Sequence, residues 1–321
     1  MSGSREERIA HRIGLCTGEN FDGPLTIFTD TTDCMYIERG HVIELRAEFY
    51  LVRGHMTEGR FGLDDQPKFW VKRASALRDG RRRILKLVCR ESFRVQIGDR
   101  SVSCARSGEK EAEVLRLVRG GRRFMQGDGM RDSRGNSVRA IDFISGIDLL
   151  SHIHSLNPSH ERYFREKFPS LLAKTITAAK AIQFLDDNGL CHGDIRNDHI
   201  LVERESGEFR WIDFDLAPDF PLFDLWSVGN ILHCVVGKGF VTFRDALRER
   251  PELSGPLCDE DASVFFPHRA MNLRKVYPYI PEKLNHVLQR FSAGCRIGYD
   301  SAARCVDELR DCAHGLSLPA G

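Results

Sequence analysis

The stretch Cys191–Val202 reads Cys-His-Gly-Asp-Ile-Arg-Asn-Asp-His-Ile-Leu-Val, and nine residues later Trp211–Asp215 reads Trp-Ile-Asp-Phe-Asp. Two carboxylates in these segments, Asp194 and Asp213, stand 19 residues apart, and each ends an apolar run. The first lies in a loop with the cation Arg196 two positions later, and the second precedes an aromatic residue. This arrangement favours phosphoryl transfer, in which one carboxylate orients a hydroxyl and the other holds a metal ion on a phosphate.

The two segments resemble the catalytic loop and the metal-binding segment of protein kinases and of the related aminoglycoside-type small-molecule kinases. The family patterns are H-R-D or H-G-D, followed by D-F-G or D-F-D. The resemblance implies that Asp194 orients the acceptor hydroxyl and that Arg196 offsets the charge on the transferred phosphoryl group. It implies that Asp213 binds the metal ion, with Asp215 beside it in place of the usual glycine, as in many small-molecule kinases.

One position departs from the family pattern. The family carries an Asn five residues after the catalytic Asp, where it binds a second metal ion, and this chain has His199 there. Imidazole is a poor ligand for Mg²⁺ and a better one for Mn²⁺ or Zn²⁺. The sequence therefore leaves two alternatives open, which are an active kinase with altered metal chemistry and a kinase-shaped protein that has lost catalysis.

A candidate phosphate-binding loop lies in the first half of the chain. Residues 57–62, which read Thr-Glu-Gly-Arg-Phe-Gly, lie between two predicted strands and resemble the glycine-rich loop of kinases, with Thr57 at the first glycine. Glycines let the backbone approach phosphates and offer amides to them. The resemblance implies that Thr57, Gly59, Phe61 and Gly62 contact the nucleotide, and an ordinary hairpin turn is the alternative.

The next expected element is an ion pair between a strand and a helix. Lys72 ends the segment Phe69–Lys72, Phe-Trp-Val-Lys, which is similar to the kinase motif V-A-I-K. Glu111 lies in the predicted helix that follows, at the position of the family's ion-pair partner, with Glu109 and Glu113 as competitors. The resemblance implies that Lys72, held by Glu111, grips the α- and β-phosphates.

The segment Asp142–Leu149 looks like the kinase hinge, in which backbone N–H and C=O groups bind the adenine edge. The resemblance implies nucleotide contacts at Asp142 and Ile144. A plain connection between a strand and a helix is the alternative.

A third motif follows the two carboxylates. Phe223–Gly229, Phe-Asp-Leu-Trp-Ser-Val-Gly, resembles D-x-W-S-x-G of protein kinases, which implies that Asp224 braces the catalytic loop through backbone amides. Only residues 216–223 separate Asp215 from Asp224, and they contain no Ser, Thr or Tyr. We therefore expect the activation segment of this chain to be essentially deleted.

The composition bears on which classes of binding partner we expect. The 321 residues are 41% hydrophobic and carry a net charge of +1, which gives no global reason to expect binding to nucleic acid or to a membrane. The ten cysteines include no C-x-x-C pair, which favours reduced thiols. Since the N-terminus lacks an apolar signal core and no run approaches 18 apolar residues, we expect a cytoplasmic protein.

Strand patterns precede helical ones along the chain, with one main helix, capped by Ser107, in the first half. We therefore predict an α+β, bilobal, protein-kinase-like fold with a β-rich N-lobe and a helical C-lobe. The expected organisation is a mostly irregular N-terminal extension over residues 1–33, the N-lobe over 34–144 and the C-lobe over 145–321.

The function that this resemblance implies is transfer of a phosphoryl group from ATP, with Mg²⁺ or Mn²⁺, to a hydroxyl on a protein or a small molecule. We favour an atypical Ser/Thr protein kinase. The alternatives are a small-molecule kinase of the aminoglycoside type, which fits His-Gly-Asp and Asp-Phe-Asp, and a nucleotide-binding pseudokinase scaffold, which fits His199.

Overall fold

The computed structural model describes residues 4–18, 24–60 and 63–316. The chain forms two compact units. The first comprises Met1–Glu91, Arg106–Gly121 and Met125–Ile144, and the second comprises Ser92–Ala105, Arg122–Phe124 and Ser145–Gly321. Residues 92–105, which the sequence analysis assigned to the N-lobe, thus belong by their contacts to the second unit.

The helices and strands up to residue 142 are α1 (Arg5–Thr17), β1 (Ile27–Phe28), β2 (Val42–Leu45), β3 (Glu48–Arg60), β4 (Leu63–Ala76), β5 (Arg82–Lys86), β6 (Ser92–Ile97), β7 (Arg100–Arg106), α2 (Gly108–Leu117), β8 (Gly127–Arg131) and β9 (Ser137–Asp142). In the described part of the chain, a sheet of the first unit has the strand order β1-β2-β3-β4-β5-β9-β8. The pairs from β2 to β8 are antiparallel.

The N-terminal segment is more regular than expected. Ser4 and Glu7 form a capping box at the start of α1, in which each side chain accepts a hydrogen bond from the other residue's backbone. Ile9 and Ile13, one turn apart, are buried in a cluster that includes Leu51 of β3. The prediction of a mostly irregular extension is therefore wrong for Arg5–Thr17, because this short helix is capped and buries one apolar edge.

Helix α2 begins where the sequence predicts. The Ser107 side chain accepts a hydrogen bond from the Lys110 amide at 3.1 Å, which confirms Ser107 as the N-cap. Val114 and Leu115 are buried, and α2 contacts β8 and β9. The helix is thereby held on the sheet with Glu111 on its buried side.

The elements after residue 145 are β10 (Gly146–Asp148), α3 (Leu149–His154), α4 (His160–Glu166), α5 (Phe168–Asp187), β11 (Ile200–Glu203), β12 (Phe209–Trp211), β13 (Leu216–Pro218), α6 (Phe223–Gly237), α7 (Phe243–Glu249), α8 (Leu273–Val276), α9 (Glu282–Gln289) and α10 (Ala302–Leu316). Helix α6 is buried over almost its whole length, and α5 packs against both α6 and α10. Among the described residues, no helix has the length and apolar character needed to cross a membrane.

The hairpin of β6 and β7 joins the second unit by pairing. Strand β7 lies between β6 and β13 in one sheet. The amide of Asp219 donates to the Ser103 carbonyl at 2.9 Å, and the Ser103 amide donates to Asp219 Oδ1 at 2.8 Å. Side chains of the hairpin, including Val102, pack in one cluster with Leu216 of β13. The short segment after Asp215 is thus covered by a hairpin that comes from between β5 and α2.

Candidate active site

The loop that carries Asp194 is shaped by a glycine. Gly193 has φ +86°, in the left-handed region that side chains rarely adopt. A Cβ atom built on Gly193 would lie 1.8 Å from the carbonyl oxygen of Leu216, a backbone atom that cannot move aside. The sequence His-Gly-Asp, instead of His-Arg-Asp, therefore follows from the close approach of β13.

Asp224, in the first turn of α6, braces this loop. Its Oδ2 accepts the His192 amide at 2.5 Å and its Oδ1 accepts the Gly193 amide at 2.7 Å. The residue is only 7% exposed, so these charge-assisted bonds are shielded from water. The brace that the sequence analysis expected is confirmed. His192 itself is buried, and its Nδ1 accepts the Asp194 amide at 3.2 Å.

The structure brings Asp194, His199 and Asp213 together within the second unit. His199 Nδ1 donates to the Asp194 carbonyl oxygen at 2.7 Å and lies 3.6 Å from Asp194 Oδ2. On the other side of the ring, Nε2 lies 3.7 Å from Asp213 Oδ2. His199 is buried, and these two distances place its imidazole between the two carboxylates that the sequence analysis singled out.

The direction of the Nδ1 bond determines what Nε2 can do. A carbonyl oxygen can only accept, so Nδ1 carries a proton. Nε2 then has one of two states. It either carries a second proton, which makes an imidazolium beside Asp213, or it has a lone pair available on the side of the Asp213 carboxylate. The second state has the pattern of a metal-binding histidine, whose other ring nitrogen donates to a carbonyl.

The backbone at Asp213 has φ 69°, which is uncommon for a residue with a side chain. Such strained conformations cluster at ligand and switch sites. Asp215 is 3% exposed and is thus a buried carboxylate two residues later.

Asp213 and His199 can supply only part of a metal's ligand set. In the part of the chain that the structure describes, no group of three or more His, Cys, Asp or Glu side chains could hold a metal ion. Mg²⁺ is usually bound by one or two carboxylates with waters and substrate phosphates. The two residues fit part of the ligand set of a divalent cation whose other ligands would be waters and nucleotide oxygens, and a nitrogen ligand at Nε2 would favour Mn²⁺.

Arg196 has an acidic partner in the same loop. Its Nε donates to Asp198 Oδ1 at 3.0 Å, and its Nη2 contacts Oδ2 of the same carboxylate. Burial raises the pKa of Asp198, but His199 and Arg196 outweigh burial, so this pKa lies below its usual value. Asp198 thus stays ionised and holds the guanidinium in the loop.

In the first unit, Glu111 lies between two cations. Its Oε1 accepts Lys86 Nζ at 2.7 Å and its Oε2 accepts Arg139 Nε at 3.0 Å. Glu111 is fully buried, while Lys86 and Arg139 stand opposite each other on β5 and β9. Sequence reasoning missed both cations, although Lys86 ends a strand that precedes α2, and this was a usable signal.

The expected pair between Lys72 and Glu111 is wrong. Lys72 Nζ donates to the carbonyl oxygens of Cys34 at 2.7 Å and Ile37 at 2.6 Å, and lies 3.1 Å from His55 Nδ1. Burial lowers the pKa of Lys72 to about 8.

The physical reason is strand alternation. Val71 pairs with Lys86 in the register of β4 and β5, so these two side chains share one face of the sheet. Successive side chains of a strand point to opposite faces, and Lys72 therefore points away from the face of Lys86.

The nucleotide-loop residues lie near the tip of the hairpin of β3 and β4. Thr57 pairs with Pro67, and Gly59 belongs to β3. Phe61 and Gly62 lie outside the described residues. Contact of this tip with a nucleotide stays a prediction.

The expected hinge begins at the end of β9. The Asp142 amide donates to the Gln126 carbonyl at 2.8 Å, and the Asp142 carboxylate pairs with Arg83 at 2.5 Å. The first unit ends at Ile144. Adenine binding at Asp142 and Ile144 stays a prediction.

Comparison with known proteins identifies the fold. No protein-family model matches the chain. It is similar to the kinase domain of PknI from Mycobacterium tuberculosis in two crystal structures of variant forms. Each match covers 87% of this chain and 100% of the matched chain, at 14% sequence identity. The TM-score is 0.51 for a single-substitution variant and 0.50 for a double-substitution variant. The chain thus has the bilobal protein-kinase-like fold, as predicted.

Gly193→Ala should destabilise the protein far more than Gly189→Ala. Both glycines have positive φ, but a Cβ at Gly189 would meet no atom within 4 Å, so Gly189→Ala should cost only the left-handed strain of about 1–2 kcal/mol. Gly193→Ala adds the collision with β13. Melting temperatures from scanning calorimetry would test this, and equal losses would show that β13 does not approach the loop in solution.

Proposed function

We propose that this protein transfers the γ-phosphoryl group of ATP to a hydroxyl acceptor. The observation that carries the proposal is the convergence of the Asp194 and Asp213 carboxylates on one imidazole, at 3.6 and 3.7 Å, in a loop held by Asp224. Two acidic groups so placed can serve the acceptor and the metal–phosphate end of one reaction.

In the proposed step, Asp194 accepts the proton of the acceptor hydroxyl as its oxygen attacks the γ-phosphorus. The bond from that phosphorus to the β-phosphate oxygen breaks, and ADP leaves. Asp213, with His199, would hold the divalent cation, which neutralises charge on the phosphates when it is bound. Arg196 lies two residues from Asp194 and would offset charge near the acceptor.

We assign binding of the α- and β-phosphates to Lys86 instead of Lys72. Lys86 is paired with a buried glutamate on α2, whereas the ammonium of Lys72 is occupied by two backbone carbonyls. A lysine held in one position by a carboxylate is pre-organised to bind phosphate oxygens.

The acceptor is a protein hydroxyl of the Ser/Thr type or a small hydroxyl compound. The small compound is the second candidate, and one observation favours it. Strand β7 pairs with β13, so the short segment after Asp215 is already engaged by the protein's own hairpin and offers less backbone to an extended peptide.

The proposal predicts ATP turnover that depends on Asp194. The protein with γ-labelled ATP and Mg²⁺ or Mn²⁺ should release phosphate or label itself or an added hydroxyl compound. Asp194→Asn should keep ATP affinity and lower turnover by about 10²–10⁴. A protein that binds ATP but shows no turnover with either ion would support the scaffold alternative.

The two lysines give a matched comparison. Lys86→Met should lower kcat/KM for ATP by about 10²–10⁴ because it removes a contact to the phosphates. Lys72→Met removes a structural ammonium, so it should lower the melting temperature but leave the rate per folded molecule within about threefold of wild type. If Lys72→Met lowered the steady-state rate strongly and Lys86→Met did not, the phosphate contact would belong to Lys72.

His199 should set the metal preference. The wild-type protein should bind and turn over ATP better with Mn²⁺ than with Mg²⁺, since nitrogen ligands suit Mn²⁺ better. His199→Asn supplies an oxygen ligand and should shift the preference toward Mg²⁺. Nucleotide titrations at fixed ionic strength would measure both, and an unchanged preference would remove His199 from the metal site.

A further inference from the structure

A cavity of about 390 Å³ lies in the first unit beside the start of α2. Its lining includes five arginines and one acidic residue, Glu109. The arginines are Arg90, Arg106, Arg131, Arg134 and Arg139. The small polar side chains of Ser107, Asn136 and Ser137 complete much of the wall.

Arg139 reaches this cavity from the protein interior. The residue is 2% exposed, and its Nε donates to Glu111 while its Nη1 donates to the carbonyl oxygens of Ser137 at 3.0 Å and Leu87 at 3.4 Å. Among the described residues, none accepts a hydrogen bond from Nη2. Arg139 thus lines the cavity as a buried guanidinium whose Nη2 has no acceptor among the described residues.

Charge in the lining is poorly balanced. Arg106 and Arg134 each pair with a carboxylate outside the lining. Within the described residues, Arg90 and Arg131 form no ion pair, and Arg131 donates only to a backbone carbonyl. Arg139 shares its single carboxylate with Lys86. The cavity therefore carries net positive charge that an anion would neutralise.

We propose that this cavity binds a phosphate group, either as free inorganic phosphate or on a phosphorylated side chain. Guanidinium groups present N–H donors in a planar fork that matches phosphate oxygens. The first amides of α2, at Gly108 and Glu109, lack intrahelical acceptors and add donors to the same wall. Arg139 also donates to Glu111, which pairs with Lys86, so Arg139 links the cavity to that ion pair.

Isothermal titration calorimetry with inorganic phosphate and with O-phosphoserine tests the proposal, with sodium chloride at equal ionic strength as the blank. The protein background is Lys86→Met, which removes the phosphate contact assigned to the nucleotide, so binding here is separable from that function. The test variant is Arg90→Gln with Arg131→Gln, since both side chains are exposed and the change should not unfold the protein. Arg94→Gln, an exposed arginine on β6 outside the cavity, is the matched control.

Saturable binding that weakens at least tenfold in the double variant, and is unchanged in the control, supports the site. Tighter binding of O-phosphoserine than of inorganic phosphate would identify a phosphorylated side chain as the ligand, and the reverse order would identify free phosphate. Absence of saturable binding of either probe, or equal affinity in the double variant and the control, would overturn the proposal.

Discussion

The buried carboxylate of Asp224 holds the arrangement on which the rest of the candidate site depends. The amides of His192 and Gly193 donate to acceptors outside the loop, and Asp224 supplies both from the first turn of a buried helix. With that backbone held, Asp194 and His199 keep their positions by a hydrogen bond of 2.7 Å within the loop. The segment of Asp213 is tied to the same loop, because the Ile212 amide donates to the His199 carbonyl at 3.0 Å.

A second constraint links the loop to a distant part of the sequence. Gly193 lies against the backbone of Leu216, and β13 is itself paired with β7. The segment that follows Asp215 is short, and its residues Leu216–Pro218 are part of a sheet. The hairpin of β6 and β7 therefore supports the strand that lies against the loop of Asp194.

In the first unit, the charge of a buried carboxylate is compensated by two cations. Glu111 is fully buried, and a buried carboxylate is costly unless cations and hydrogen bonds compensate it. Lys86 and Arg139 both do so, which leaves the trio with one excess positive charge. That excess is consistent with the anion contacts proposed for Lys86 at the nucleotide and for Arg139 at the arginine-lined cavity.

The sequence by itself determined the fold class, the N-cap of α2 and the brace by Asp224, because each depends on residues close together in the chain or on fixed motif spacing. It did not reveal α1, because the residues that bury its apolar edge lie far along the chain and a capping box alone does not establish so short a helix. The choice between Lys72 and Lys86 could be made only by the tertiary structure. Each lysine directly follows an apolar residue in its strand, and only the register of β4 with β5 decides which face of the sheet each side chain occupies.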